Sequence, residues 1–136
     1  MNRVMHRWMR VLWVSALAGL ASAAMAGDTS PEAQLRRWEA AAGSAGDAGR
    51  GQQFFTERHG REWACASCHH APPTTEGRHQ STGKRIDPLA PAINPDALTS
   101  ERRADKWFRR NCRDVLDREC SAQEKADVIA WLIGLR

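Results

Sequence analysis

The stretch Cys65-Ala66-Ser67-Cys68-His69 decides how the rest of this 136-residue chain is read. Two cysteines separated by two residues, with histidine directly after the second, form the attachment signature of a c-type haem. Each thiol would close a thioether onto a haem vinyl group, and His69 would serve as the proximal iron ligand. The cysteines lie one helical turn apart, and the residue after them turns inward. A structural zinc site needs a second pair of ligands about two to four residues apart. The other two cysteines, Cys112 and Cys120, have seven residues between them. A thioredoxin-like redox pair is disfavoured by the histidine that follows and by the lack of a βαβ pattern. The motif carries its haem meaning in an exported chain, so the N-terminus is the next test.

Met1 to Ala26 reads as a secretory signal. Arg3, Arg7 and Arg10 form its basic start, Val11 to Leu20 its apolar core, and Ala24-Met25-Ala26 offers small residues for cleavage. The apolar run falls short of the ~20 residues that span a bilayer, which disfavours a retained anchor. Cleavage after Ala26 leaves residues 27–136 as one small domain. Three of the 20 Lys and Arg residues and none of the 16 acids leave with it, so the net charge falls from +4 to +1. The basic balance belongs largely to the leader, and nucleic acid is not implied as a partner. The cysteine usage fits an oxidising periplasm. All four methionines, Met1, Met5, Met9 and Met25, also lie in the leader. The mature chain therefore lacks the methionine that serves as distal ligand in ordinary electron-carrying cytochromes c.

Ser30-Pro31-Glu32 is a helix start, with Leu35, Trp38 and Ala42 on one face. That helix ends in the Gly43 to Gly49 stretch. Asp47 can cap a second helix from Ala48 to about Glu57, in which Gly51 permits close approach of a partner and Phe55 fills the groove beside it. From Ala71 to Pro95 the chain holds five prolines and little periodicity, and is expected to be an irregular loop ordered by wrapping the cofactor. Thr99 or Ser100 opens a helix with Ala104, Trp107, Phe108, Asn111 and Val115 on one face. Ser121-Ala122-Gln123-Glu124 is a capping box ahead of a final helix whose apolar stripe is Val128, Trp131, Leu132 and Leu135. No strand pattern stands out. The expectation is an all-α chain of class I cytochrome c architecture, with one haem between an early and a late helix.

The sixth iron position separates electron carriers from ligand binders. His70 follows the proximal ligand and cannot reach the opposite face. His59 is expected in solvent near the end of its helix. His79, in the long loop, is a candidate, while Lys84 and Lys106 more naturally stay solvated. Asn111 stands where an apolar residue is expected, and two readings are open: the left-handed cap of its helix, or a group facing the pocket.

Lys106-Trp107-Phe108-Arg109-Arg110-Asn111-Cys112, followed by Cys120 and Ser121-Ala122-Gln123-Glu124, resembles the sphaeroides haem protein family. Asp87-Pro88-Leu89-Ala90-Pro91 and Asn94-Pro95 are similar to it too, so the likeness covers nearly all of the mature chain. These are small bacterial cytochromes c that bind oxygen. The resemblance implies that Asn111 is the distal ligand, that it leaves on reduction, and that Cys112 and Cys120 form a disulfide. It places Trp107 and Phe108 in the haem pocket. That bridge reads either as a limit on how far Asn111 swings or simply as a staple for a small exported domain.

The expected function is periplasmic electron transfer by one covalent haem c, coupled to redox-gated binding of O2, NO, CO or cyanide. The resemblance implies a membrane b-type or dihaem c-type cytochrome as redox partner. Two alternatives stand beside it: a bis-histidine electron shuttle using His79, and a haem enzyme turning over oxygen, nitric oxide or peroxide. No distal histidine–arginine pair of the peroxidase kind is evident in the sequence.

Overall fold

Ser30 accepts a hydrogen bond from the Ala33 N–H at 3.1 Å, Pro31 occupies the first turn, and the expected first helix follows as α1 (Pro31–Ala42). The computed structural model describes residues 28–136, so the expected signal segment and its cleavage point lie outside the described residues. Asp47 caps α2 (Ala48–Thr56) by accepting from the Arg50 N–H at 2.7 Å. The Cys-X-X-Cys-His stretch is itself a short helix, α3 (Cys65–His69), whose Ser67 hydroxyl accepts from the Ala64 N–H at 3.0 Å. Two further helices, α4 (Glu101–Leu116) and α5 (Ala122–Gly134), complete the all-α frame. α5 opens with the expected capping box: Ser121 Oγ accepts from the Glu124 N–H, and the Glu124 carboxylate accepts from the Ser121 N–H.

The crossing of α2 and α5 sits at the centre. A methyl group on Gly51 would lie 2.0 Å from the Asp127 carbonyl oxygen, so only glycine lets these backbones meet. One turn later the Phe55 ring packs at 5.1 Å from Trp131, within a buried cluster completed by Val128 and Leu132. Asp127 is 5% exposed but fully engaged. It accepts from the Asp47 N–H, from Nε and Nη2 of Arg50, and from Gln123 Nε2, all at 2.8 Å. α1 also packs along α5, though its fully buried residue is the polar Gln34 rather than one of the expected apolar side chains.

The segment from Ala71 to Pro95 departs from expectation in two ways. It holds a short antiparallel hairpin, β1 (Gly77–Arg78) with β2 (Arg85–Ile86), in register Gly77 to Ile86. It is also ordered by its own hydrogen bonds: the Leu89 and Ala90 N–H groups donate to the Pro73 carbonyl, and the Asn94 side chain to that of Pro88. Two-residue strands are too short to show alternation, which is why the sequence pattern missed them.

Candidate functional site

Five segments converge on one apolar wall. Its buried heart is Phe55 of α2 with Val128, Trp131 and Leu132 of α5; against it pack Cys65 and Ala66 of α3, Leu89 of the long loop with Leu98 just beyond it, and Phe108 of α4. The Phe55 ring lies 6.0 Å from the His69 imidazole. Burial, with smaller contributions from His70 and His79, lowers the His69 pKa to about 4. Its ring is thus neutral at physiological pH and keeps a lone pair for a metal. His69 Nδ1 is buried with no hydrogen-bond partner. Burial raises the Cys65 thiol to about 11, so it stays protonated near neutrality until it is alkylated.

The hairpin closes over α3. A methyl group on Gly77 would fall 2.1 Å from the Cys68 carbonyl oxygen and 3.1 Å from His69 Cα. His79 is held in the same hairpin: its backbone pairs with Lys84 and Gly83, and its Nδ1 accepts from the Ser81 and Thr82 N–H groups at 3.3 Å. Its ring is therefore tethered within the hairpin. His59, expected in solvent, is partly buried: its Nε2 lies 2.7 Å from the Phe54 carbonyl and its ring stacks on Phe54 at 4.5 Å. The exposed last turn of α2 recruits it. His70 is exposed and ends α3 with φ +63° and ψ 176°.

Asn111 does not end its helix. α4 runs on to Leu116, and Asp117 takes the left-handed position at φ +61°. The cap reading of Asn111 is thereby overturned. Asn111 is half-buried, and its amide makes no hydrogen bond among the described residues. The next residue, Cys112, forms a disulfide with Cys120, with 5.6 Å between the Cα atoms. Phe108 and Trp107 part company. Phe108 lies on the apolar wall, whereas Trp107 is 47% exposed, with Lys106 Nζ and the Arg110 guanidinium each 5.4 Å from its ring. Adjacent helical residues point about 100° apart, and Trp107 lies one turn before Asn111. Arg109 and Arg110 are exposed as well.

These residues fit a covalent haem. An apolar wall suits the macrocycle face, two half-buried thiols precede a neutral imidazole, and the orphaned Nδ1 marks a ring positioned for something other than this chain's own hydrogen bonds. They do not fit structural zinc. Cys112 and Cys120 are consumed in a disulfide, and no group of three or more His, Cys, Asp or Glu among the described residues could hold a metal ion.

Residues 41–132 match the family described as "Domain of unknown function (DUF1924)". The cytochrome c-type protein SHP of Cereibacter sphaeroides is 46% identical over 127 residues, 90% of this chain and 96% of that protein. The solved structure of oxidised SHP, an oxygen-binding cytochrome c, aligns with a TM-score of 0.74 at 44% identity, over 80% of this chain and all of that one. That of oxidised cytochrome c'' from Methylophilus methylotrophus aligns at 0.69 with 33% identity, over 78% of this chain and 94% of that one. With the Cys-X-X-Cys-His helix under an all-α cytochrome c frame, the chain belongs to the DUF1924 family and to the sphaeroides haem proteins, c-type cytochromes with covalently attached haem c.

Proposed function

We propose that this protein is an exported, periplasmic monohaem cytochrome c whose site opens to O2 and similar neutral diatomic gases when reduction releases Asn111. The haem, when bound, supplies an iron centre that changes by one electron and offers an axial side to small ligands. Cys65 and Cys68 hold it through thioethers, His69 is the proximal ligand, and Phe108 lines the pocket wall. His69, kept neutral by burial, presents an imidazole lone pair. The amide oxygen of Asn111 is a hard, weak donor that ferric iron accepts and softer ferrous iron holds poorly. Once released, the same amide can donate a hydrogen bond to an incoming O2, NO or CO. Cyanide, a ligand of the ferric state, competes with Asn111 directly.

The observation that carries this reading is Asn111 itself: a half-buried amide in the middle of a helix, with no hydrogen-bond partner among the described residues, in a chain without methionine after Met25. SHP, with which this chain shares 44% identity in the structural alignment, is an oxygen-binding cytochrome c. The redox partner would be a membrane b-type or dihaem c-type cytochrome, as the family resemblance implies. The solvent face of α4, where Arg102, Arg103, Lys106, Arg109, Arg110 and Arg113 are exposed and Trp107 stands between Lys106 and Arg110, suits an acidic protein surface.

The test is an optical spectrum of the haem-loaded protein, oxidised and reduced, with and without carbon monoxide. High-spin ferrous bands that shift on adding the gas are expected. Asn111→Ala should open the ferric form too and speed cyanide binding by about tenfold or more, on the scale of removing one weak ligand bond. Sharp low-spin bands in both oxidation states, unmoved by carbon monoxide, would reject the proposal.

A further inference from the structure

α4 is held differently from the other helices. α1 and α2 both lie along α5, and α3 lies against α2 and β1, whereas α4 has only sparse backbone contact with any other element. Phe108 packs midway along it on the core cluster, and polar or covalent tethers lie towards its two ends. Near its start, Arg37 of α1 grips Asp105 with both guanidinium nitrogens, Nη1 donating to Oδ2 at 3.1 Å and Nη2 to Oδ1 at 2.6 Å. Nη1 also lies 3.1 Å from Glu101 Oε1. At the other end stands the Cys112–Cys120 disulfide. Asn111 lies between these two tethers, six residues after Asp105 and directly before Cys112.

An exposed ion pair would matter little, because solvent screens it and side-chain entropy opposes it. This one is different in construction. The guanidinium is aimed before it meets Asp105: Nη2 donates to Oε1 of Gln34 at 2.6 Å, and Gln34 is 1% exposed. Its carbon also sits 4.4 Å from the Trp38 ring centre, and Lys125 Nζ lies 4.0 Å from that same centre. A planar fork on a carboxylate fixes direction as well as distance. Asp105 and Asn111 are about 9 Å apart along the helix axis at 1.5 Å per residue, so a tilt at Asp105 is carried to Asn111. Ligand geometry is sensitive to displacements of about 0.5 Å.

We propose that Arg37 is a positioning residue for the distal iron site: by gripping Asp105 and Glu101 it fixes the tilt of α4 and hence the reach of the Asn111 amide. This rests on Asn111 being the distal ligand. The N-terminal helix, which packs along α5, then contributes to ligand gating through α4. Side-chain release of Asn111 on reduction occurs against a helix that stays in place, and loss of the grip lets the helix itself drift.

The experiment measures cyanide association with the ferric protein, the ferric spectrum and amide hydrogen exchange along α4, for Arg37→Ala, Asp105→Ala, the double variant and Arg37→Lys. Each alanine variant is expected to speed cyanide binding about fivefold and raise the high-spin ferric fraction, with the double variant no faster than either single one, as coupled residues require. Arg37→Lys retains charge but loses the fork, and should fall between, at about twofold. It also serves if Arg37→Ala does not fold. Combined with Asn111→Ala, the Arg37 substitutions should leave the cyanide rate within about 1.5-fold of Asn111→Ala alone. Arg37 variants that melt earlier but match the wild type in cyanide rate and ferric spectrum would overturn the proposal while leaving Asn111 as ligand. If Asn111→Ala itself left the cyanide rate unchanged, the distal assignment would fall, and this proposal with it.

Discussion

Where α2 crosses α5, backbone rests on backbone; where α4 spans the domain, side chains and one covalent bond hold it by the ends. In the crossing, Gly51 meets the Asp127 carbonyl, Phe55 meets Trp131, and Asp127 gathers four donors from three residues. Every residue there has a neighbour that depends on it. Along α4 the buried residues are Ala104, Cys112 and Val115, Phe108 packs on the core cluster, and the other attachments include the Arg37 grip, the Asp28 cap and the disulfide. The difference separates two tasks. The crossing fixes the frame to which α3 and its cysteines are anchored, while α4 carries Asn111, which under the proposal exchanges its side-chain partner while the helix stays in place. Local stability varies within a domain in this way.

The largest expected effect breaks the crossing. Gly51→Val places carbon where the Asp127 carbonyl stands, and a backbone cannot rotate away as a side chain can. We expect a loss of about 3 kcal/mol or more, seen as a fall in Tm of over about 10 °C or as failure to accumulate folded protein. A smaller loss would mean that the helices separate easily and that the crossing is no more rigid than α4. Replacing Cys112 and Cys120 together by serine acts on the other side of the contrast. Chain entropy for an eight-residue separation gives about 2.5 kcal/mol. Hydrogen exchange should then accelerate along α4 more than along α5; equal acceleration in both would show that the bridge staples the whole domain rather than one helix.

Asp127→Asn probes the crossing without changing its shape and should cost about 2 kcal/mol, the scale of losing charge-assisted bonds to a buried group. Its pH dependence has a defined sign. Burial alone would push this carboxyl up, but the bonds from Arg50, the Asp47 N–H and Gln123 outweigh burial and hold it below the usual range. Since the folded pKa lies below the unfolded value of about 3.9, its contribution is full above that value and disappears as pH falls through the folded one. Denaturant melts of wild type and Asp127→Asn should therefore converge below about pH 4. A gap that stayed constant into strong acid would mean that Asp127 is not ionised in the native state.

The crossing was also the more legible half in the sequence. Capping boxes, a proline in the first turn and a glycine four residues before an aromatic are local signals, and Ser30, Asp47, Ser121, Gly51 and Phe55 all do what they announce. The haem-attachment helix was legible because its chemistry forces its spacing. What holds α4 was not legible, because it comes from far along the chain. Asp28 caps it by accepting from the Glu101 N–H at 2.8 Å, across 73 residues, and Arg37 reaches Asp105 across 68. Ser100, the expected cap, makes no side-chain cap bond. Periodicity placed Trp107 and Phe108 on one face; Phe108 packs on the core cluster, and Trp107 is exposed beside Lys106 and Arg110. For Asn111, residue type pointed equally to a cap and to a pocket. The continuation of α4 to Leu116 removes the cap reading.

The smallest expected effect on stability is at the residue with the largest expected effect on ligand binding. Asn111 is half-buried and makes no hydrogen bond among the described residues, so its removal orphans no partner in the chain. Within a helix, alanine is favoured over asparagine by about 0.5 kcal/mol. In the reduced protein, where the amide has already left the iron, Asn111→Ala should thus be neutral or stabilising by a few tenths of a kcal/mol. In the oxidised protein the same substitution removes an iron ligand that is present in the folded state alone, and should destabilise it. Denaturant unfolding of both oxidation states reads the difference directly. An equal effect in the two states would mean that Asn111 does not change partners on reduction, and α4 would then be a helix held by its ends for reasons unrelated to ligand exchange.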